Sequence, residues 1–137
     1  YQKNSPELSD NIKLLAFRNY ITGCTLMINY HAKKISTPIP NKAIMHDWWI
    51  GLCILKNGGI LKSVHESTIL YRQHDHNEVG ASKFSIYFII HRLLDIKKFA
   101  LDQVAVYNQA KDLGIKINPM SYIFYKIYTI FLVVFFK

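Results

Sequence analysis

Residues 45–59 read Met-His-Asp-Trp-Trp-Ile-Gly-Leu-Cys-Ile-Leu-Lys-Asn-Gly-Gly. The apolar positions Trp48, Trp49, Leu52, Ile54 and Leu55 suit a buried helix from Met45 to Lys56, and Asn57-Gly58-Gly59 stops it. What flanks this helix decides the fold class. Upstream, Ile21 to Ile28 is a short run of β-branched and apolar residues bounded by Asn19 and Asn29, which reads as a buried strand. Downstream, Ile60 to Val64 and Ser67 to Tyr71 read as two more short strands. A helix set between strands predicts a mixed α/β arrangement for this part of the chain.

Further out the pattern turns helical. Pro6 to Phe17 places Leu8, Ile12, Leu15 and Ala16 on one side, with Ser5 as N-cap and Pro6 at the first helical position. A loop holding Pro38 and Pro40 precedes the central helix. After Gly80 no breaker occurs before Gly114; Ser82 caps a helix from Lys83, with a bend expected near Phe99 to Asp102. Asn118-Pro119 opens a last helix whose apolar run, Tyr122 to Phe136, is interrupted only by Lys126 and Thr129. That run is too short for a membrane span. Two readings remain: a helix packed into the core, or an interfacial helix, since Tyr122, Tyr125, Tyr128, Lys126 and Lys137 suit a headgroup interface. The chain thus divides into residues 1–81, mixed α/β, and residues 82–137, all helical.

Composition narrows the function classes. Of 137 residues, 50% are apolar and 14% aromatic, so the chain carries material for a core and is not a low-complexity segment. Cys24 and Cys53 form no CxxC, which excludes a disulfide framework or a zinc ribbon and predicts buried free thiols in a reducing compartment. Seventeen basic residues against nine acidic ones give a formal charge of +8. The excess favours an anionic partner, a phosphate-bearing substrate or an acidic membrane surface. Nucleic acid is not expected, because the doublets Lys33-Lys34 and Lys97-Lys98 come with no nucleic-acid-binding motif.

Two polar clusters interrupt the apolar pattern. The first, His46-Asp47-Trp48-Trp49, opens the central helix. Asp47 at a helix tip is stabilised as an anion, which allows either a simple N-cap or a rigid general base beside an aromatic stacking surface. The second is Tyr71-Arg72-Gln73-His74-Asp75-His76-Asn77. On a strand His74 and His76 would point to one side, a spacing suited to a divalent metal, and Arg72 could fork onto phosphate oxygens.

Asn19-Tyr-Ile-Thr-Gly-Cys-Thr-Leu-Met, His46-Asp-Trp-Trp, and Leu70-Tyr-Arg-Gln-His with Asn77 and Gly80-Ala81 occur in this order. Together the three motifs, spanning Asn19 to Ala81, resemble the C-terminal half of family-two glycosyltransferases of the GT-A fold, bacterial rhamnosyltransferase-like enzymes in particular. The resemblance implies an inverting transfer from a nucleotide-sugar donor to a cell-surface polysaccharide or lipid-linked acceptor. Asp47 would be the catalytic base. His74 would contact the metal-bound diphosphate and serve as a metal ligand, and Arg72 would neutralise the leaving group. Thr22, Gly23, Cys24, His46, Trp48 and Trp49 would line the sugar cleft.

A divalent cation, Mn²⁺ or Mg²⁺, is implied, with its main ligands expected in a preceding nucleotide-binding half. No Asp-x-Asp and no βαβ repeat precede Asn19 here, so the chain by itself is expected not to transfer sugar. The expected location is the cytoplasm, with peripheral contact at the inner face of the membrane. In-line transfer further requires Asp47 and His74 to face one cleft about 6–12 Å apart, with a carboxylate oxygen of Asp47 open to solvent and Trp48 or Trp49 in the wall. Two other classes compete: a metal-dependent phosphoesterase or nuclease ligating through Asp47, His74 and His76, and a non-catalytic membrane-docking module.

Overall fold

In the computed structural model the described residues are 11–64, 66 and 96–135. Among them are five α-helices: α1 (Ile12–Phe17), α2 (Tyr30–Ser36), α3 (His46–Lys56), α4 (Ile96–Asp112) and α5 (Pro119–Phe135). No strand occurs among the described residues, so the mixed α/β expectation is corrected to a helical fold.

The run from Ile21 to Ile28 shows why. Its ends are extended, but the middle closes into a short 3-10 turn, Gly23–Thr25. The Thr25 and Leu26 N–H groups bond back to the Thr22 and Gly23 carbonyls, at 3.0 and 3.3 Å, in place of a ladder. Its apolar side chains are divided between two neighbours. Ile21 packs with α1 and α3, whereas Leu26 and Ile28 join a smaller cluster around Ala32, Ile50 and Ile54. Met27 and Cys24 face solvent, so the expected burial of the Cys24 thiol does not hold; Cys53 is buried. Residues 60–64 likewise belong to no strand, and Ile60 and Val64 are exposed. Ser67 to Tyr71 lies outside the described residues.

The helices are bounded by short-range chemistry. Asn11 caps α1, its side-chain oxygen accepting from the Lys13 and Leu14 N–H groups. The expected cap at Ser5 and Pro6 lies outside the described residues. Asn29 caps α2, a helix the sequence reading did not anticipate, by accepting from the Ala32 N–H at 2.8 Å. At the end of α3 the Gly58 N–H bonds to Leu55 and the Gly59 N–H to Ile54, with Gly58 at φ 75°. This paired closure needs a left-handed residue, which glycine supplies without strain. Gly114, at φ 67°, closes α4 the same way, with the Ile115 N–H returning to the Ala110 carbonyl. Between Ile96 and Asp112 the helix passes through Phe99–Asp102 unbroken, so the expected bend is absent. No breaker residue stands there to make one. Asn118 opens α5 by accepting from the Met120 N–H at 2.8 Å.

One apolar cluster joins α1, α3, α4 and α5. Leu15, Phe17 and Leu52 are fully buried in it, with Trp48, Val106, Ala110, Leu113 and Tyr122 around them. Phe17 meets the Tyr122 ring edge-on at a centroid distance of 5.0 Å and stacks on Tyr125 at 5.1 Å. A six-residue helix has little stability of its own. What holds α1 is therefore its contacts, including two bonds to carbonyls of its last turn, from Trp48 Nε1 to Leu15 and from Lys126 Nζ to Phe17. Truncating Phe17 to Ala should lower unfolding stability by about 3–5 kcal/mol in urea denaturation. A loss below about 1 kcal/mol would show that this aromatic cluster is not the structural centre.

Candidate functional site

Helix α3 begins one residue before Asp47, and the capping position is Met45, which makes no side-chain bond there. Asp47 is therefore not the N-cap. It sits in the first helical turn, where free N–H groups and the dipole favour a negative charge. Its Oδ1 accepts the Trp48 N–H at 2.7 Å and Asn19 Nδ2 at 3.1 Å. Asn19 is fixed in turn, since its Oδ1 accepts the Ile21 N–H at 2.9 Å. The carboxylate is thus held by a side chain on the segment between α1 and the Gly23–Thr25 turn and by its own helix.

Asp47 is only 2% exposed, against the expectation of an oxygen open to solvent. The cover comes from segments that the sequence reading had singled out. A Cβ on Gly23 would stand 2.5 Å from His46 Nε2 and 3.5 Å from Asp47 Oδ2. The backbone of Gly23 thus packs against the His46 imidazole and beside the second oxygen of Asp47. Both donors act on Oδ1, and Oδ2 lies on the Gly23 side. Charge withdrawn from water to this degree needs such donors.

The structure therefore brings Gly23, His46 and Asp47 together and adds Asn19. Asn19 opens the first of the three sequence motifs, and nothing in its residue type or position there marks it as a partner of Asp47. Thr22 and Cys24 flank Gly23 and are exposed. The two tryptophans part company. Trp48 is buried, with its ring nitrogen bonded to α1. Trp49 is half-buried on another side of the helix, its Nε1 donating to the Ser36 carbonyl at 3.2 Å. His74, Arg72 and His76 lie outside the described residues, and with them the expected spacing to Asp47.

No three His, Cys, Asp or Glu side chains converge on a possible metal position among the described residues. These residues by themselves do not fit a divalent cation. Burial pushes the Cys53 thiol up, with Lys56 opposing, and pushes the Tyr122 hydroxyl up to about 12. Neither group is poised as an acid or base near neutral pH. Among the described residues no helix is long and apolar enough to cross a membrane. On α5, Met120, Ile123, Phe124, Ile127 and Tyr128 form an exposed apolar stripe at helical spacing.

Comparison with known proteins gave no match to any family model, curated protein or solved structure.

The contact between Gly23 and His46 generates a direct test. Gly23→Ala should destabilise by about 1–3 kcal/mol, because the added methyl overlaps the imidazole. In a His46→Ala background the same change should cost well under half as much, a coupling that a double-mutant cycle in thermal unfolding would reveal. Additive effects would show that the two residues do not touch.

Proposed function

We propose that this chain carries the acceptor side and the catalytic base of an inverting glycosyltransferase, with Asp47 as that base. The observation that carries the reading is the convergence of Asn19 and Gly23, both more than twenty residues earlier in the chain, on the Asp47 carboxylate, with the neighbouring His46 imidazole against Gly23. The same residues belong to the motifs that resemble family-two glycosyltransferases.

In this reading Asp47 takes the proton of the acceptor hydroxyl. The acceptor oxygen attacks the anomeric carbon of the donor sugar as the bond to the departing nucleoside diphosphate breaks on the opposite face. One C–O bond forms, one breaks, the configuration inverts, and the proton rests on the carboxylate. Asn19 and the Trp48 N–H hold Oδ1 and fix the plane of the group. Oδ2, on the Gly23 side, is the oxygen left for the hydroxyl. Contact requires the exposed His46 side chain or the Gly23–Thr25 turn to yield, because the carboxylate is covered. A glycine at position 23 suits such an approach, having no side chain to interpose. A divalent cation would supply charge stabilisation to the leaving group, and no group of His, Cys, Asp or Glu among the described residues offers a ligand set for it.

A location at the inner face of a membrane carrying a lipid-linked acceptor belongs to the same proposal. The exposed stripe on α5 and the net positive charge support it, and salt-sensitive co-sedimentation with anionic vesicles would read it out.

Asp47→Asn tests the assignment in the natural protein, assayed with nucleotide sugars and glycan acceptors. The amide oxygen can still accept from Asn19 and Trp48, so the thermal midpoint should move by only a few degrees. Turnover should fall by roughly 10²-fold or more, since the amide accepts no proton. Near-normal turnover would remove Asp47 from the mechanism.

A further inference from the structure

On the far side of the first turn of α3 from Asp47, a cavity of about 360 Å³ opens between this helix, the loop before it and α4. Lys42, Trp49, Asn108, Gln109 and Asp112 line it, with Ala105. Helical residues advance by about 100° each, so Trp49 points some 200° around the axis from Asp47. The volume lies at the lower end of the range of small-molecule sites, about 300–1,000 Å³.

The lining is not that of a packing defect. Trp49 supplies an aromatic wall, and its bond to the Ser36 carbonyl fixes the ring. Gln109 is 5% exposed, and its Oε1 accepts the Ile44 N–H at 2.9 Å, which sets the orientation of the amide. Its Nε2 is then a buried donor with no acceptor among the described residues. With under 1 Å² of that nitrogen accessible, it sits behind the cavity surface, and the donors a ligand meets are those of Asn108 and Lys42. At the rim, Lys42 Nζ and Asp112 Oδ2 pair at 2.7 Å, with side chains 67% and 40% exposed. An ion pair so open to water adds little to stability, yet it offers a carboxylate and an ammonium group to a ligand. Asn108 adds a second amide, with both a donor and an acceptor.

An aromatic face, the Asn108 amide and a paired carboxylate are the complement of a pyranose ring. Its C–H face lies on the indole, and its hydroxyls both give and accept hydrogen bonds. A phosphate group fits less well, since Asp112 would repel it.

We propose that this cavity binds one neutral sugar ring of the glycan acceptor, away from the hydroxyl that reacts. The inference rests on the glycosyltransferase reading and adds to it that the acceptor is longer than one sugar, because one ring does not reach both sides of the helix turn.

The test uses the full chain titrated with methyl glycosides of neutral hexoses and 6-deoxyhexoses and with their disaccharides, followed by tryptophan fluorescence and the indole N–H resonances. A saturable shift of the Trp49 indole is expected. Asn108→Ala and Asp112→Ala, both at exposed positions that the fold tolerates, should each weaken binding by about 2–10-fold, and Trp49→Phe by at least as much. In the natural protein these variants should raise the acceptor KM more than they lower kcat. Absence of any saturable shift, or a shift that Asn108→Ala and Asp112→Ala leave untouched, would overturn the proposal. Saturable glycoside binding in a protein that transfers no sugar would keep the sugar site and remove the catalytic reading. Transfer with an unchanged acceptor KM in all three variants would keep the catalytic reading and remove the sugar site.

Discussion

A carboxylate nearly out of water imposes a demand on everything around it, and in this protein the demand is met at Asp47. The first turn of α3 supplies one N–H donor and a favourable dipole, and Asn19 supplies a second donor from another segment. Leaving either lone pair of Oδ1 unanswered in so buried a place would cost about 1–3 kcal/mol or more, a large share of the stability of an ordinary domain. Asn19 can reach only if α1 ends where it does, and α1 ends where Trp48 and Lys126 satisfy its last carbonyls. The polar site and the apolar core therefore fix one another.

The consequence reaches both halves of the chain. Trp48, the residue after Asp47, ties α3 to α1. Phe17, the last residue of α1, stacks with Tyr122 and Tyr125 of α5. Residues near position 17, position 48 and position 122 thus share one cluster, and α4 closes it through Val106, Ala110 and Leu113. Trp49, next in line, packs at the edge of the same cluster and turns its ring nitrogen to α2. Consecutive residues of one motif serve a carboxylate, a core and a cavity wall because the helix distributes them around its axis.

Legibility in the sequence followed the range of the interactions. The bounds of α3 could be read because Asn57-Gly58-Gly59 encodes its own closure, and Asn118-Pro119 announced α5 by local capping. The strand over Ile21–Ile28 was misread, since β-branched richness looks the same whether or not a partner strand exists. What decided the outcome was the turn at Gly23–Thr25, which uses the backbone bonds that a ladder would need. Helix α2 was missed because its one strong signal is a single capping asparagine. The grouping of Gly23, His46 and Asp47 was legible through motif resemblance, whereas the burial of Asp47 was not. Burial depends on where Gly23 lands against the imidazole, a tertiary fact. The Trp49 cavity likewise needs α4, whose Gln109 and Asp112 lie some sixty residues further along the chain.

The most direct measurement of the central claim is the rate of sugar transfer by the natural protein, compared between wild type and Asp47→Ala, each with and without added formate. A carboxylate from solution can stand in for a missing base but not for a missing structural contact. Formate should restore a saturable part of the rate that Asp47→Ala loses and leave wild type unchanged. A near-normal rate of Asp47→Ala without formate would place the base elsewhere and leave Asp47 as a structural carboxylate.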